Sequence, residues 1–415
     1  MVSKTVVIND VCDFVGGSQP PKSVFANAPK NGFIRLIQTR DYKTDNYLTF
    51  IPQEFAKRKC EKDDIIIGRY GPPVFQIFRG LEGAYNVALM KAVPKPNILN
   101  DYLYYLLNQK AIFKYVDALS KRTGGQTGVD LDSLNQYPIL LPEIKYQKLV
   151  IEVLKSLDDK IEINNQLNEK LEEMTKLIFE YWFMQYDFPD SNNNPYKSSG
   201  GELVWNEDLG RKIPAGWAVD VLGPHIKINR GISYKSSDLK DKGTPMINLN
   251  SFHLNGNYKI EGIKYFSGNL NINKEIKSGD LIVATTDVTR NAYIIGKSFI
   301  LPDLFEETVV ASCDIAQVEV DEKLDKFYLE MLFNSDNYHR YIKGFASGTL
   351  VLHLDTNGIE WYKCVIPPKG ILEKFNKLKT QIQNKRDLIL KENLVLSNLR
   401  DWLLPLLMTG QVSVG

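Results

Sequence analysis

Two long stretches of the chain, residues 143–185 and residues 369–404, have the residue spacing of unbroken amphipathic helices. In each stretch apolar side chains recur at steps of three and four residues, which places them on one helical face. Neither stretch contains a proline or glycine after its opening residues, so neither has an internal helix breaker. A helix of about 40 residues is about 60 Å long, which exceeds the width of most single domains. The sequence therefore predicts two rods to which the rest of the chain is attached.

The two predicted helices carry opposite net charge. Residues 150–180 contain eight acidic and four basic side chains, whereas residues 369–401 contain four acidic and eight basic ones. Opposite charges beside an apolar seam favour pairing of the two helices with each other over self-pairing of either. The alternative is that each helix lies independently on its neighbouring domain. Asn164 and Lys385 fall on the apolar stripes, and a polar core position often sets helix register.

The remaining sequence forms two blocks that are rich in short β-like runs and correspond to each other in order. Residues 62–67 match residues 278–283, and the helical residues 102–108 match residues 328–334. The sequence therefore predicts an α+β fold with a duplicated arrangement of globular domain and rod. Antiparallel pairing of the rods would place the two domains at opposite ends, related by a pseudo-twofold axis. The predicted boundaries are 1–142 for the first globular domain, 143–185 for the central helix, 186–199 for a linker, 200–368 for the second globular domain, and 369–415 for the C-terminal helix and tail.

Composition places the chain among ordinary globular proteins. Its 415 residues fit two or three domains, and 43% hydrophobic with 24% charged residues excludes low-complexity, collagen-like and disulfide-scaffold proteins. No stretch approaches the roughly 18 uncharged apolar residues of a membrane span, and the N-terminus lacks the apolar core of a signal peptide. The four cysteines are scattered without metal-ligand spacing. We therefore expect a cytoplasmic protein with reduced thiols.

The sequence contains little that indicates catalysis. It has neither a GxxxxGK[ST] phosphate loop nor a GxGxxG motif after a strand, and its four histidines lack metal-binding spacing. Pro302 and Asp303 followed by Asp321, Glu322 and Lys323 fit a loose pattern of Mg²⁺-dependent nucleases, but chance produces such a pattern easily in a chain rich in these residues. We therefore expect a binding protein with no catalytic residue, metal site or cofactor of its own.

Duplex DNA is the partner that best suits two similar domains on a rigid spacer, because two sites one helical turn apart on one face of DNA are separated by about 34 Å. Residues 1–142 carry 18 basic and 13 acidic side chains, a balance compatible with phosphate contacts. Residues 186–368 carry 19 basic and 24 acidic ones. The second domain must therefore collect its basic residues on one face, or a partner must supply phosphate contacts.

The loops that occur in both domains are the best places for side chains that read bases. Arginine pairs with guanine through two hydrogen bonds, asparagine and glutamine pair with adenine, and serine or threonine can serve either. Glycines in these loops let the backbone approach phosphate closely. The candidate DNA-binding residues are Gln38, Arg40, Arg69, Tyr70, Lys121, Arg122, Thr123, Gln126 and Thr127 in the first domain and Asn250, His253, Thr285, Thr286, Arg290, Asn291, Ser347 and Thr349 in the second.

The whole chain resembles the specificity subunits of type I restriction–modification systems. Residues 157–168 and 179–183 look like the central spacer helix of that family, residues 213–217 resemble the start of its second recognition domain, and residues 399–410 look like its C-terminal ending. The resemblance implies that the two globular domains are target recognition domains. Each would read one half of a bipartite, asymmetric DNA sequence, and the paired helices would fix the number of unread base pairs between the halves.

The resemblance also implies a set of partners. Family members are non-catalytic and hold two methyltransferase subunits, which use S-adenosylmethionine to methylate adenine N6. Restriction subunits, which use ATP and Mg²⁺ to translocate and cleave DNA, join the same complex. We expect exposed apolar residues at the helix ends to dock these partners, and their alternative role is packing against their own domains. These residues are Phe179, Trp182, Phe183, Trp402, Leu406 and Leu407.

Three other functions remain open at this point. A bivalent adaptor could bind two protein partners through its globular domains without reading DNA sequence. A stand-alone nuclease or methyltransferase fusion would show activity as a purified chain, although the cofactor motifs for it are missing from the sequence. A remnant of a truncated system would bind DNA without partners.

Overall fold

Both predicted rods are single helices in a computed structural model of the protein, which describes residues 3–71, 73–120, 128–269, 274–289 and 291–412. The first rod runs Ile144–Phe179 and ends in a π-helical turn, Glu180–Met184, and the second runs Lys369–Thr409. The chain divides into two units, Met1–Glu162 with Val395–Gly415 and Ile163–Leu394, and each rod contributes to both units. Within the described ranges, no helix is long and apolar enough to cross a membrane.

The first unit consists of β-strands, three short helices and parts of both rods. Its strands are β1 (Ser3–Val7), β2 (Cys12–Gly16), β3 (Phe33–Ile37), β4 (Phe50–Pro52), β5 (Lys59–Cys60), β6 (Ile65–Gly68), β7 (Ile77–Phe78), β8 (Gly83–Tyr85), β9 (Leu89–Pro94) and β10 (Pro138–Pro142). Its helices are α1 (Asn100–Leu107), α2 (Lys110–Ser120), α3 (Leu131–Asn135) and the first part of α4 (Ile144–Phe179).

The strands of the first unit form one sheet in the order β2–β9–β6–β7 and another in the order β4–β3–β8–β5. Strands β3 and β8 are parallel, and a separate antiparallel pair joins β1 to β10. All four residues of β6 are buried, which explains its continuous apolar sequence. The apolar core of the unit includes Ile65 and Ile67 of β6, Val150 and Leu154 of α4, and Leu407 of the second rod.

The second unit contains more strands than the first. Its strands are β11 (Leu203–Asn206), β12 (Arg211–Pro214), β13 (Ala218–Val221), β14 (Ile226–Arg230), β15 (Leu239–Lys240), β16 (Thr244–Ile247), β17 (Lys264–Phe266), β18 (Glu275–Ile276), β19 (Leu281–Ala284), β20 (Thr286–Asp287), β21 (Ser298–Ile300), β22 (Val309–Ala311), β23 (Ile315–Val320), β24 (Ala346–Ser347), β25 (Leu352–Leu354) and β26 (Lys363–Ile366). Its helices are α5 (Lys326–Phe333), α6 (Asp336–Ile342), α7 (Asn357–Glu360), the end of α4 and most of α8 (Lys369–Thr409).

The sheets of the second unit repeat those of the first. The order β14–β23–β19–β21 corresponds to β2–β9–β6–β7, and β15–β17–β16–β22–β18 contains a parallel pair, β16 with β22, that corresponds to β3 with β8. The antiparallel pair β13–β26 corresponds to β1–β10, and in both units the second strand of this pair leads directly into a rod. The α+β architecture with two β-rich domains and two long helices is therefore confirmed.

The two rods pack antiparallel in each unit. In the first unit, Asp158 of α4 accepts a hydrogen bond from Arg400 of α8, with 2.8 Å between Oδ1 and Nη1. In the second unit, Asn164 donates its side-chain amide to Glu392 and Asn393 at 2.7 and 2.8 Å. Farther along α4, Asn168 accepts a hydrogen bond from Arg386 at 2.9 Å. The polar position at Asn164 therefore lies in the helix seam, where its paired hydrogen bonds define the local register.

The faces that α8 buries differ in part from those that its spacing predicts. Lys385, which the spacing places on the apolar face of α8, is exposed. Leu378, an apolar residue of the same predicted face, is also exposed. Lys379, Gln383 and Asp387 are buried instead. These three residues follow one another at four-residue steps, so they line one face of α8, which packs against its own globular domain. Pro405 lies inside the helix, which continues beyond it to Thr409.

The segment that the sequence predicts to be a linker is folded onto the second unit. Tyr186 and Phe188 are buried, and the ring of Phe188 stacks on Tyr196 and Trp217 with centroid distances of 4.6 and 4.9 Å. Asp190 accepts backbone hydrogen bonds from Asn192 and Asn194 and so closes the turn. The asparagine-rich composition of this segment therefore marks a tight turn on a packed surface.

Candidate nucleic-acid interface

Two of the candidate DNA-binding loops of the first unit lie beside one connecting segment, residues 86–88. The backbone N–H of Asn86 donates to the carbonyl of Ile37 at 3.1 Å, immediately before Gln38. The backbone N–H of Arg69 donates to the carbonyl of Ala88 at 2.8 Å. These hydrogen bonds hold the ends of β3 and β6 on either side of the same short segment, so the fold brings the loop after β3 and the loop after β6 together.

A third loop ends at the same place. Tyr70 forms an isolated antiparallel bridge with Gly128, and the N–H of Val129 donates to the carbonyl of Arg69 at 3.1 Å. The five candidates that precede Gly128 in the sequence lie outside the described residues. They are Lys121, Arg122, Thr123, Gln126 and Thr127.

The side chain of Arg69 is held in a defined place. Its guanidinium carbon lies 5.3 Å from the ring centroid of Tyr70, a cation–π contact, and Tyr70 is exposed. A Cβ added to Gly16 would lie 3.5 Å from Arg69 Nη1, so the end of the arginine side chain lies close to Gly16. Among the described residues, no carboxylate forms an ion pair with Arg69. Its fork of donors is therefore oriented and available to an external acceptor.

The two candidates after β3 differ in availability. Gln38 is half-buried and donates its amide to Thr49 Oγ1 at 3.1 Å, so its side chain is already used inside the unit. Arg40 is exposed, with its guanidinium 5.6 Å from the ring centroid of Tyr47, which is also exposed. Burial raises the pKa of neighbouring Asp41, while hydrogen bonding to the Gln38 backbone and the charges of Arg35 and Arg40 oppose that shift. Arg40 therefore resembles Arg69 in lying beside an exposed aromatic ring, and Arg40 is the more exposed of the two arginines.

The second unit repeats this backbone framework bond for bond. The N–H of Ser312 donates to Ile247 at 2.9 Å, and the N–H of Thr285 donates to Asp314 at 3.0 Å. The N–H of Leu354 donates to Thr285 at 2.9 Å, as that of Val129 does to Arg69 in the first unit. These hydrogen bonds match Thr285 with Arg69, Thr286 with Tyr70, and Asn250 with Arg40.

The side chains on the second framework differ from those on the first. Thr285 and Thr286 are each only 3% exposed, so their hydroxyls lie below the surface, contrary to what a role in base reading requires. Thr286 Oγ1 lies 3.5 Å from His353 Nδ1 on the neighbouring strand. Arg290 lies outside the described residues. The remaining candidates, Asn250, His253, Asn291, Ser347 and Thr349, are exposed.

Several carboxylates of the second unit serve internal contacts. Asp287 is fully buried and accepts backbone hydrogen bonds from Thr289, Ile294 and Ile295 at 2.6, 2.7 and 3.2 Å. Glu330 is buried beside Lys379 of α8. These two carboxylates do not contribute negative charge to the exposed loops, so the net acidity of the second unit overstates the repulsion that DNA phosphates would meet there.

The nuclease-like pattern does not form a metal site among the described residues, which contain no group of three or more side chains that could hold a metal ion. Asp321 accepts a hydrogen bond from His225 Nδ1 at 2.8 Å, and this hydrogen bond raises the pKa of the imidazole. Asp303 pairs with Lys391 at 2.7 Å. The two carboxylates of the pattern are therefore used in separate structural contacts.

The candidates for partner docking divide into buried and accessible residues. Phe179, Phe183 and Leu407 are 2%, 2% and 1% exposed, so the expectation that they are exposed is wrong. Phe183 packs against Tyr328 and Phe375 with centroid distances of 4.9 and 5.1 Å. The pattern of aromatic residues at the end of α4 thus reflects attachment of the helix to its own domain. Of the other three, Trp402 is exposed, and Trp182 and Leu406 are half-buried.

Two apolar stripes, one on each rod, are exposed except for Leu406, which is half-buried. The α4 stripe consists of Met174, Leu177 and Tyr181, which are all exposed and lie in the second unit. The α8 stripe consists of Leu399, Trp402 and Leu406, which lie in the first unit. Each member of one stripe lies 225 positions from its counterpart in the other. Shifting Trp402 and Leu406 back by the repeat length would have identified Leu177 and Tyr181 from the sequence.

Comparisons with known proteins agree with this organisation. The family described as "Type I restriction modification DNA specificity domain" matches residues 3–173. The chain is 26% identical over 432 residues to the MjaIX specificity subunit of a type I restriction enzyme from Methanocaldococcus jannaschii, covering 98% of this chain and 93% of that protein. It is 23% identical over 421 residues to the HindI specificity subunit from Haemophilus influenzae, covering 86% of this chain and 88% of that protein.

A solved structure has a similar fold. The S subunit of a type I restriction–modification system from M. genitalium superimposes with a TM-score of 0.55 at 15% sequence identity, covering 98% of this chain and 96% of that one. At this identity the likeness concerns the fold.

Proposed function

Because this chain belongs to the specificity subunits of type I restriction–modification systems, we propose that each of its two units reads one half of a bipartite, asymmetric DNA target. The subunit itself is non-catalytic. It positions two methyltransferase subunits, which bind S-adenosylmethionine and methylate adenine N6, on the two halves of the target. Restriction subunits that use ATP and Mg²⁺ join the same complex. The paired rods set the number of base pairs left unread between the halves.

The observation that carries this proposal is the duplicated backbone framework with unlike side chains. The same hydrogen bonds place Arg69 in the first unit and Thr285 in the second, and likewise Tyr70 and Thr286. A shared framework supports docking of both units on DNA in the same manner. Different side chains at equivalent places support recognition of different bases, since base edges are read by specific donors and acceptors. An asymmetric target in two parts follows from these two features together.

The two apolar stripes support binding of two copies of one partner. Met174, Leu177 and Tyr181 follow the i, i+3, i+7 spacing with which one helix docks against another, and the α8 stripe repeats it. Large exposed apolar side chains grouped in this way are typical of interaction surfaces. Because the stripes are equivalent by sequence position, one partner surface fits both. Two methyltransferase subunits per chain satisfy that requirement.

A methylation map tests the proposal. The chain is co-expressed with the methyltransferase subunit encoded beside it, and N6-methyladenine is located by sequencing host DNA. We expect methylation at a motif of two short parts with a constant unread gap, and no such methylation without this chain. Methylation that is the same in both strains would contradict the proposal. It would instead favour the bivalent protein adaptor that does not read DNA sequence.

A further inference from the structure

A hairpin of the second unit ends in an unusually apolar tip. Leu350 is 79% exposed, and Val288 and Val351 beside it are 62% and 40% exposed. We infer that this tip, defined as Val288, Leu350 and Val351, makes direct apolar contact with bases of the second half-site. The inference rests on the proposed function, because it assigns a way of reading DNA to a unit that has lost the arginine of the first framework.

Strand pairing brings the three side chains together. Strand β20 pairs antiparallel with β25, with Thr286 opposite His353 and Asp287 opposite Leu352. Val288 and Val351 follow directly beyond these pairs, so they lie at the same end of the two strands. Strand β24 pairs with the other edge of β25, and Gly348, at φ +133°, allows the tight turn that presents Leu350.

The tip is supported by a rigid base. Asp287 is fully buried, and its carboxylate accepts the backbone N–H groups of Thr289, Ile294 and Ile295. The N–H of Tyr293 donates to Thr289 Oγ1 at 3.0 Å within the same loop. Hydrogen bonds to a buried carboxylate fix the loop that carries Val288. Val288 therefore loses little conformational entropy on binding.

The position of the tip in the framework identifies DNA as its partner. The pair of Thr286 with His353 occupies the place of the Tyr70–Gly128 bridge in the first unit. The tip therefore extends from the place that corresponds to Tyr70 and Gly128 in the first unit, next to Arg69. A loop next to the position that Arg69 occupies in the first unit faces the same ligand. We therefore commit to duplex DNA as the occupant.

Charge explains why this unit would use apolar contacts. The second block carries 19 basic and 24 acidic side chains, so long-range attraction to phosphate is weak there. An apolar side chain needs no opposite charge to bind a base. Leucine and valine can pack on a thymine methyl group in the major groove or enter between two base pairs from the minor groove. Both contacts remove the same apolar surface from water.

The test uses the full chain in complex with its methyltransferase partner and duplexes that carry the mapped motif. Leu350→Ala is compared with the unchanged chain. Val351→Ala is compared with the control variant Val204→Ala, because Val204 on β11 is also 40% exposed but lies outside the framework. We expect Leu350→Ala to weaken binding of the specific duplex roughly tenfold or more. Because no phosphate contact is lost, the dependence of affinity on salt should keep its slope. Val204→Ala should bind as the unchanged chain does.

Modified duplexes distinguish the two forms of contact. If the tip meets a thymine methyl, replacing that thymine by uracil weakens binding by the unchanged chain but not by Leu350→Ala. If the tip enters a base step, 2-aminopurine at that step brightens with the unchanged chain and not with the variant. Either result supports the inference.

Three outcomes would overturn the inference or its premise. Equal affinity of Leu350→Ala and the unchanged chain for the specific duplex would overturn the inference. Loss of methyltransferase binding by Leu350→Ala would also overturn it, because the tip would then contact protein and not DNA. If the unchanged chain shows no preference for its motif, the proposed function itself fails. That last result is separate, because it does not involve the variants.

Discussion

At the scale of single residues, Arg69 is the candidate of the first unit that we propose as a base reader. Its guanidinium carbon lies 5.3 Å from the ring centroid of Tyr70, at the point where the loops after β3 and β6 meet. A planar fork of donors matches the two acceptors of guanine, and a lysine cannot reproduce that geometry. The function of Arg69 therefore depends on its shape as well as on its charge.

We predict that Arg69→Ala weakens binding of the specific duplex by about 1–3 kcal/mol, because a two-bond contact with one base is lost. Arg69→Lys should retain the charge but relax the preference at a single position of the first half-site. Competition binding with duplexes altered at each position measures both effects. Arg58, an exposed arginine outside the framework of the same unit, provides the control, since Arg58→Ala should leave all base preferences as they are. An unchanged motif with Arg69→Lys would contradict this role.

At the scale of elements, a buried ion pair joins α8 to α5. Lys379 Nζ lies 3.1 Å from Glu330 Oε2, and the two side chains are 2% and 6% exposed. Burial lowers the pKa of Lys379, and the charge of Glu330 opposes that shift. In the first unit the matching positions are Leu154 and Tyr104, which pack in an apolar cluster. The same junction between rod and domain is therefore built from charges in one unit and from apolar groups in the other.

We predict that Lys379→Met alone lowers the free energy of unfolding of the second unit by about 3–5 kcal/mol, because it leaves Glu330 buried without its counter-ion. The double variant Lys379→Leu with Glu330→Met should recover most of that loss, since replacing a buried ion pair by apolar side chains is often neutral. Urea unfolding of the full chain, followed by intrinsic fluorescence, measures both variants. A double variant that is no more stable than Lys379→Met would show that the site requires a charge pair.

At the scale of the whole molecule, the duplication gives the chain two equivalent apolar stripes, which we propose as two docking sites for one kind of partner. The α4 stripe and the α8 stripe have equivalent members, such as Leu177 and Trp402, which are each 62% exposed. Because these side chains are exposed, polar substitutions at them should leave the fold intact. The two stripes can therefore be inactivated one at a time.

We predict that Leu177→Glu and Trp402→Glu each reduce the number of bound methyltransferase subunits from two to one, because a buried carboxylate without a counter-ion opposes docking. The variant with both substitutions should bind none. Native mass spectrometry of the co-expressed complex counts the subunits. Val204→Glu, which alters an exposed apolar residue away from both rods, should retain two. Two subunits bound to the doubly substituted chain would place the partner surface elsewhere.

The sequence by itself determined the large-scale plan of the protein. The rods follow from apolar residues at three- and four-residue steps without proline or glycine, which is a local pattern that needs no knowledge of the rest of the chain. The repeat of residues 62–67 at 278–283 identified the duplication, and the corresponding strands β6 and β19 are central and fully buried in both units. The order of rod and globular domain along the whole chain is what the specificity subunits to which it is similar also cover.

Only the tertiary structure decided which faces are covered. Phe179 and Leu177 are two residues apart on α4, yet the first is buried against its domain and the second is exposed. On α8 the buried lysine is Lys379 and not Lys385. Thr285 and Thr286 lie below the surface because neighbouring strands cover them, while Leu350 projects from it. The physical reason is the same in each case: burial depends on contacts between segments far apart in sequence, and local residue spacing carries no information about those contacts.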